Sequence, residues 1–206
     1  MPNWKTHLEI SNRINQTYKF SGIDFKKFLL GSILPDINNS HIVKDISEKR
    51  NHEITHCFEE GIPSYLVFYR RYKNQIDTKD PIFVGYVTHL YTDYTWNNNF
   101  YTNIAERNYP EKDKVTLRIM KQSDFGAFNN KFKDQYIDVS NDSEFEILLN
   151  ETKKINEVSV TFEDLSRVVE FLKKQELYDD TLQFYTMEEL EELLEKTVVS
   201  LTQKEN

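Results

Sequence analysis

The chain has 206 residues and a formal net charge of −8, and 28 of its residues are Phe, Tyr or Trp. This length allows one or two domains, and aromatic residues spread along the whole chain can supply a core and exclude disorder as the main state. No stretch approaches the roughly 18 apolar residues that a membrane span requires. Cys57 is the single cysteine, which excludes an internal disulfide framework. Since residues 1–7 lack a signal-peptide pattern, we expect a cytoplasmic protein.

The negative charge lies in the second half of the chain. Residues 1–100 carry a net charge of +1, whereas residues 101–206 carry −9. A nucleic-acid-binding protein normally shows a long basic stripe, and none is visible, so we expect no long nucleic acid as a partner. The acidic half is typical of a solvated helical surface.

The hydrophobic pattern predicts helix after helix. Helices are expected at residues 4–19, 24–34, 62–75, 81–101, 113–123 and 187–201. Asp24 is predicted to cap the second helix, which should end before Pro35. Pro63 and Pro81 are predicted to lie in the first turns of the next two helices, because proline suits that position. Residues 38–47, which are polar, should form a loop.

Beyond residue 105 the signals for element boundaries are weaker. Gly126 is predicted to interrupt the continuation of a helix, and residues 158–162 are the one strand-like segment. Capping boxes, in which two side chains near a helix start satisfy each other's backbone N–H groups, are predicted at Ser143–Glu146, Thr161–Asp164 and Thr186–Glu189. With no repeat or linker visible, residues 1–206 are predicted to form a single all-α domain.

All five histidines lie within the first 89 residues. His89 and Asp93 are four positions apart in the most apolar predicted helix, so they project from the same face. In a buried helix both side chains need partners, either each other or a metal ion. Asp36 directly follows Pro35. At this position its carboxylate can point into the protein interior or accept a hydrogen bond from the nearby backbone. His41 lies in the polar loop and is expected at the surface.

Residues 52–56, His-Glu-Ile-Thr-His, have the form of the H-E-x-x-H zinc-peptidase motif. On a helix the two imidazoles would share a face, and Glu53 would act as general base. The longer metzincin pattern continues with Gly and His, but Glu59 and Ile62 occupy those positions. A zinc peptidase is therefore an alternative and not the favoured interpretation.

One combination of residues indicates a metal site. The residues are His7, Asp36, a histidine at 52 or 56, His89 and Asp93, which together supply three imidazoles and two carboxylates. This donor set suits zinc, and it allows more than one ion if a carboxylate bridges.

Four segments in this order resemble the zinc-dependent phospholipase C family, which is related in fold to zinc-dependent single-strand nucleases. They are His7, Leu-Gly-Ser-Ile-Leu-Pro-Asp at 30–36, Thr-His-Cys-Phe at 55–58 and Gly-Tyr-Val-Thr-His-Leu-Tyr-Thr-Asp at 85–93. The resemblance covers residues 4–101 and leaves the acidic helical half, residues 105–206, without an assigned role. It implies an all-α domain with a zinc cluster held between helices.

The resemblance also implies a ligand set. One zinc would be surrounded by Asp36, His56, His89 and Asp93, and His7 would join Asp93 at a neighbouring ion. His56 is preferred because the family pattern has Thr-His followed shortly by Phe. His52 is the reserve ligand.

Two departures from the family pattern limit the number of ions. Members bind a further zinc through residues after the His-x-x-x-Asp helix, but this chain has no histidine after His89. The secreted lipases also use an amino-terminal Trp as a ligand, whereas Trp4 is internal here. We therefore expect one or two zinc ions.

By resemblance, the protein is expected to be a zinc-dependent, phospholipase C-like hydrolase of phosphoester bonds. Asp36 would orient or deprotonate the attacking water, and the substrate would be a small phosphoester or a phospholipid headgroup. Two alternatives remain: a metal-binding helical protein without activity, and a zinc peptidase that uses His52, Glu53 and His56.

Overall fold

The structure is a computed structural model that describes residues 3–39, 42–107, 109, 112–174 and 177–203. Within these ranges it has eleven α-helices, a 3-10 turn at Asn130–Phe132 and no strand, so the predicted all-α class is confirmed. The helices are α1 (Trp4–Tyr18), α2 (Gly22–Gly31), α3 (Leu34–Ile37), α4 (His52–Thr55), α5 (Tyr65–Arg71), α6 (Lys73–Asp77), α7 (Pro81–Glu106), α8 (Lys114–Asn129), α9 (Asp142–Thr152), α10 (Phe162–Lys173) and α11 (Met187–Gln203).

The longest helix, α7, is the centre of the fold. It begins at Pro81, as predicted, and the Asp80 side chain caps it by accepting a hydrogen bond from the Ile82 backbone N–H. Its buried apolar side chains contact different partners along its length. Phe83, Tyr86 and Leu90 belong to the main core cluster with α2 and α5, whereas Trp96 and Phe100 pack with α8 and α11.

Two glycines allow α2 and α7 to cross in close contact. A β-carbon on Gly31 would overlap the Ile82 carbonyl oxygen, and one on Gly85 would overlap the Phe28 carbonyl oxygen. Only glycine permits such an approach between two backbones. The crossing places the end of α2, and α3 directly after it, beside the middle of α7.

Polar side chains join the second half of the chain to the loop after α3. The buried Asn38 side chain accepts a hydrogen bond from the Ser159 backbone N–H at 2.9 Å. The Asp164 carboxylate accepts from the Ser47 backbone N–H at 2.8 Å and from the Thr161 backbone N–H at 3.1 Å. These hydrogen bonds give partners to backbone N–H groups that lie outside helices and therefore have no helical partner.

Several predicted boundaries in the first half are wrong. Ser21, not Asp24, is the N-cap residue of α2, and Asp24 lies within its first turn. This helix ends at Gly31, and Pro35 lies in the first turn of the separate helix α3, where its missing N–H leaves no bond unmade. The helix predicted at 62–75 is two helices, α5 and α6, which are separated at Tyr72.

Predictions in the second half are partly right. Gly126 does not interrupt α8, because burial of the neighbouring Phe125 and Phe128 outweighs the cost of about 1 kcal/mol for a helical glycine. Asn141 caps α9 in place of the predicted Ser143–Glu146 box, and residues 158–161 form no strand before α10 begins at Phe162.

The other two capping boxes form as predicted, at Thr161–Asp164 and Thr186–Glu189. The described parts of the loop at 38–47 are irregular, as expected. His41 lies outside the described residues. No helix in the described ranges is both long enough and apolar enough to cross a membrane.

Candidate metal centre

The structure brings the six candidate ligands into one cluster. They come from four helices and the residue after α4: His7 (α1), Asp36 (α3), His52 (α4), His56 (after α4), His89 and Asp93 (α7). Both histidines of the 52–56 segment lie in this cluster, His52 and His56 together with Asp36.

Asp93 faces three imidazoles. Its Oδ1 lies 3.4 Å from His7 Nε2, and its Oδ2 lies 3.3 Å from His56 Nε2 and 3.4 Å from His89 Nε2. The His7 ring stacks on the His89 ring with centroids 4.1 Å apart. The i, i+4 spacing on α7 therefore directs His89 and Asp93 to one point, as predicted.

Asp36 also faces two of these imidazoles. Its Oδ1 is 3.6 Å from His56 Nε2, and its Oδ2 is 3.9 Å from His89 Nε2. Ligand atoms of Asp36, His52 and His56 all lie within 4.8 Å of one another. The Asn39 side-chain amide donates to Asp36 Oδ1 at 2.9 Å, which fixes the orientation of the carboxylate.

Hydrogen bonds on the far side of two rings set their orientation. His89 Nδ1 lies 2.8 Å from the Ser32 carbonyl oxygen. Because a carbonyl only accepts, Nδ1 carries the proton and the Nε2 lone pair faces the cluster. The Thr55 hydroxyl lies 3.0 Å from His56 Nδ1, which likewise leaves Nε2 toward the cluster. Such outer contacts position metal-binding histidines.

The local backbone explains how His56 turns inward. Helix α4 is a single turn capped by the Asn51 side chain, and His56 is the residue after its end. Cys57 follows in the left-handed region with φ 50°, so the chain reverses at once. The Tyr86 hydroxyl donates to the Thr55 carbonyl oxygen at 2.6 Å, which ties this turn to α7.

The segment differs from a zinc-peptidase helix. His52 is half-buried and His56 is buried, but Glu53 is exposed and lies outside the groups that could hold an ion. The general base that the H-E-x-x-H motif would supply is therefore not directed into the cluster.

Unsatisfied polar atoms indicate that the cluster fits a metal ion. Within the described residues, both ring nitrogens of His7, Nδ1 of His52 and both carboxylate oxygens of Asp93 are buried without a hydrogen bond. A buried polar group without a partner costs about 1–3 kcal/mol. A nitrogen–oxygen donor set with free lone pairs directed to one point is what zinc requires.

The electrostatics favour the metal-binding protonation state at His7, His52 and Asp93, whereas at His89 the effect of Asp93 outweighs burial and raises the pKa. Burial, helped by the neighbouring His89, lowers the pKa of His7 to about 4, and burial, helped by His56, does the same for His52. Burial opposes ionisation of Asp93, but the neighbouring His89, His56 and His7 outweigh it and hold the Asp93 pKa well below its usual value. Neutral imidazoles and an ionised carboxylate are metal-binding forms.

An all-α fold with a buried nitrogen–oxygen cluster defines a helical metal-binding protein. The zinc dependent phospholipase C family matches residues 6–138, more than half of the chain, and the chain therefore belongs to this family. The match extends beyond residue 101, where the resemblance was expected to end, and includes α8. Membership in this family confirms the resemblance seen in the sequence. It also confirms the prediction that the metal is zinc. Neither a curated protein nor a solved structure matches the chain.

The sequence did not reveal which residues orient the ligands. Ser32 and Thr55 lie inside the segments that carry the family resemblance, but only the packing of α2 and α4 on α7 shows that they contact His89 and His56. Tyr86, one turn before His89, was visible only as part of an apolar helix.

Proposed function

We propose that the protein is a zinc-dependent hydrolase of phosphoester bonds. The observation that carries this proposal is the cluster of four imidazoles and two carboxylates in a chain of the zinc-dependent phospholipase C family. The zinc would be held by His7, Asp36, His52, His56, His89 and Asp93. Bound zinc supplies a Lewis acid that polarises a phosphoryl oxygen and lowers the pKa of water.

Asp36 is the proposed general base. Its Oδ1 accepts a hydrogen bond from the Asn39 amide and lies 3.6 Å from His56 Nε2, whereas its Oδ2 lies 3.9 Å from His89 Nε2 and receives no hydrogen bond from Asn39. The second oxygen is therefore placed to accept a proton from the attacking water. Asp93 differs because it contacts three imidazoles, so its role would be to hold ligands in place.

The substrate is proposed to approach from the side of His52. Five of the six cluster residues have at most 2% of their surface exposed, whereas His52 is half-buried at the edge of the cluster. The net charge of −8 gives no attraction to a long polyanion. A small phosphoester or a phospholipid headgroup is therefore the proposed substrate class.

A second candidate function is a metal site without catalysis. The nearly complete burial of five ligands favours it, because an ion there would join α1, α3 and α7 without any contact with solvent. The peptidase alternative receives no comparable support, since Glu53 is exposed.

The test is hydrolysis of nitrophenyl phosphodiesters and short-chain phosphatidylcholine, measured with zinc, with chelator and with Asp36→Asn. We expect turnover that the chelator abolishes and that Asp36→Asn lowers by about 10²- to 10⁴-fold, the usual contribution of a general base. Asp45→Asn, an exposed aspartate in the following loop, is the matched control and should retain activity. Glu53→Gln should also retain activity.

Two outcomes would contradict the proposal. Turnover that neither the chelator nor Asp36→Asn lowers would show that the cluster is not the catalytic site. Zinc binding without turnover on any substrate would favour the non-catalytic metal site.

A further inference from the structure

Lys121 of α8 lies at a position where the helix pattern calls for an apolar residue. Residues 121, 125 and 128 have the spacing of one buried helical face. Phe125 and Phe128 on this face are fully buried, and Lys121 is only 8% exposed. Lysine is almost never buried to this degree without a partner of opposite charge. A buried ammonium at this position therefore requires a compensating anion.

The contacts that the structure gives Lys121 are neutral. Its Nζ donates to Asn97 Oδ1 at 2.6 Å and lies 5.0 Å from the centre of the Tyr101 ring. Lys121 forms no ion pair with a carboxylate of the described residues. The Asp124 carboxylate, one turn further along α8, accepts hydrogen bonds from the backbone N–H groups of residues 183–185 instead. Since an ammonium has three N–H donors, two of them have no partner within the described residues.

Asn97 connects this lysine to the metal centre. It follows Asp93 by four residues on α7, so the two side chains lie on the same face, one turn apart. Burial lowers the pKa of Lys121, and the negative charge of Asp93 opposes this effect. The ammonium therefore lies beside the cluster without being one of the candidate ligands.

A small ligand can reach the ammonium from the surface. Asn97 is half-buried, the next residue, Asn98, is exposed, and Tyr101 is 52% exposed. Exposed side chains change rotamer within nanoseconds. The Tyr101 ring therefore covers the ammonium without closing the way to it.

We propose that Lys121 and Asn97 form an anion-binding site that takes a dianionic phosphate group. Lysine binds phosphate as a compact point charge. Because Asn97 Oδ1 accepts from Lys121, the Asn97 amide nitrogen supplies further N–H donors for the phosphate oxygens.

This site rests on the proposed function in one respect, the source of the phosphate group. Hydrolysis of a phosphodiester adds water across one P–O bond and gives an alcohol and a phosphomonoester. The monoester carries close to two negative charges at neutral pH, whereas the diester carries one. The site therefore favours the product of the reaction over its substrate.

The test is calorimetric titration of protein purified with zinc present. The probes are inorganic phosphate, the monoester glycerol phosphate and the diester dimethyl phosphate. The wild type should bind the first two at least about 10-fold more tightly than the diester. Lys121→Gln should weaken binding of those two by about 10- to 100-fold and leave the zinc content unchanged. Lys121→Arg should keep the preference for dianions.

The matched control is Lys114→Gln, which makes the same change of charge at an exposed position of α8 and should match the wild type. Asn97→Asp keeps the lysine and tests the site if Lys121→Gln fails to fold. The new carboxylate would pair with the ammonium, so affinity for both phosphate probes should fall by a similar factor. Binding of glycerol phosphate and inorganic phosphate would assign the site to monoesters, whereas binding of inorganic phosphate alone would assign it to free phosphate.

A Lys121→Gln or Asn97→Asp protein that binds both phosphate probes as tightly as the wild type would overturn the site. Hydrolysis accompanied by phosphate binding that does not depend on Lys121 would refute this inference alone. Binding that depends on Lys121, in a protein that hydrolyses no phosphoester, would refute the proposed hydrolase alone.

Discussion

At the scale of single residues, the cluster depends on contacts made by the atoms that face away from it. The Ser32 carbonyl oxygen fixes the tautomer of His89, the Thr55 hydroxyl contacts His56 Nδ1, and the Asn39 amide holds Asp36. None of these groups would touch an ion. They reduce the rotamer freedom that the ligands would otherwise lose when an ion binds.

A buried carboxylate elsewhere gives a residue-scale prediction on pH. Burial opposes ionisation of Asp164, but hydrogen bonds from Ser47 and Thr161 outweigh it and lower the Asp164 pKa below its usual value. A lowered folded-state pKa contributes stability above the unfolded value, near 3.9, and loses it as the pH falls through the folded value. Asp164→Asn should therefore lower the free energy of unfolding by about 1–2 kcal/mol at pH 7.

Urea unfolding at a fixed zinc concentration checks this prediction. The difference between wild type and Asp164→Asn should stay constant from pH 7 to pH 5 and shrink below about pH 4. Asp138→Asn, at an exposed position, is the control and should change little. An Asn variant as stable as the wild type at pH 7 would contradict the role given to these hydrogen bonds.

At the scale of elements, the crossing of α2 and α7 sets the position of the cluster. Gly85→Ala should destabilise the protein by about 2–3 kcal/mol, because the new methyl group meets the Phe28 carbonyl and cannot be accommodated by a side-chain movement. This cost exceeds the gain of about 1 kcal/mol in helix propensity that alanine brings. Zinc affinity should fall as well, since α3 and its Asp36 would shift from His89.

The matched control is Gly126→Ala in α8, where the three atoms nearest to a new β-carbon belong to the Tyr178 side chain. That variant should unfold within about 1 kcal/mol of the wild type. Thermal unfolding and a zinc titration of both variants measure the two effects. A Gly85→Ala protein with unchanged stability and zinc affinity would show that the crossing does not position the cluster.

Some helices could be predicted from the sequence, whereas the boundaries of others could not. Helix α7 was predictable because Pro81 marks its start and its apolar side chains continue for several turns. The separation of α5 from α6 was not, because it coincides with Tyr72, whose hydroxyl donates to the distant Glu157 at 2.7 Å. A contact across 85 positions leaves no local pattern in the sequence.

The residues of the candidate site also differ in how well the sequence predicted them. His89 and Asp93 could be paired from their spacing, and the family segments pointed to His7, Asp36 and His56. His52 was predicted only as the reserve ligand, and its place beside His56 and Asp36 depends on the one-turn helix α4. Neither the residue type nor the polar lead-in at 47–51 predicts that turn.

At the scale of the whole molecule, the acidic second half packs against the helices that carry the cluster. The Phe171 ring of α10 meets Trp4 edge-on at 5.7 Å. The Trp96 indole of α7 donates to the Thr197 hydroxyl of α11 at 3.2 Å. The two helices that carry His7, His89 and Asp93, α1 and α7, are therefore both supported from the second half.

The zinc content of protein purified without chelator shows whether the buried cluster binds zinc. It is best paired with thermal unfolding of wild type and His89→Ala. The wild type should contain zinc, and its unfolding temperature should fall when the metal is removed and recover when zinc is added. His89→Ala should lose the metal and this response. A wild-type protein that contains no zinc, and whose unfolding temperature does not change with added zinc, would show that the cluster does not bind zinc.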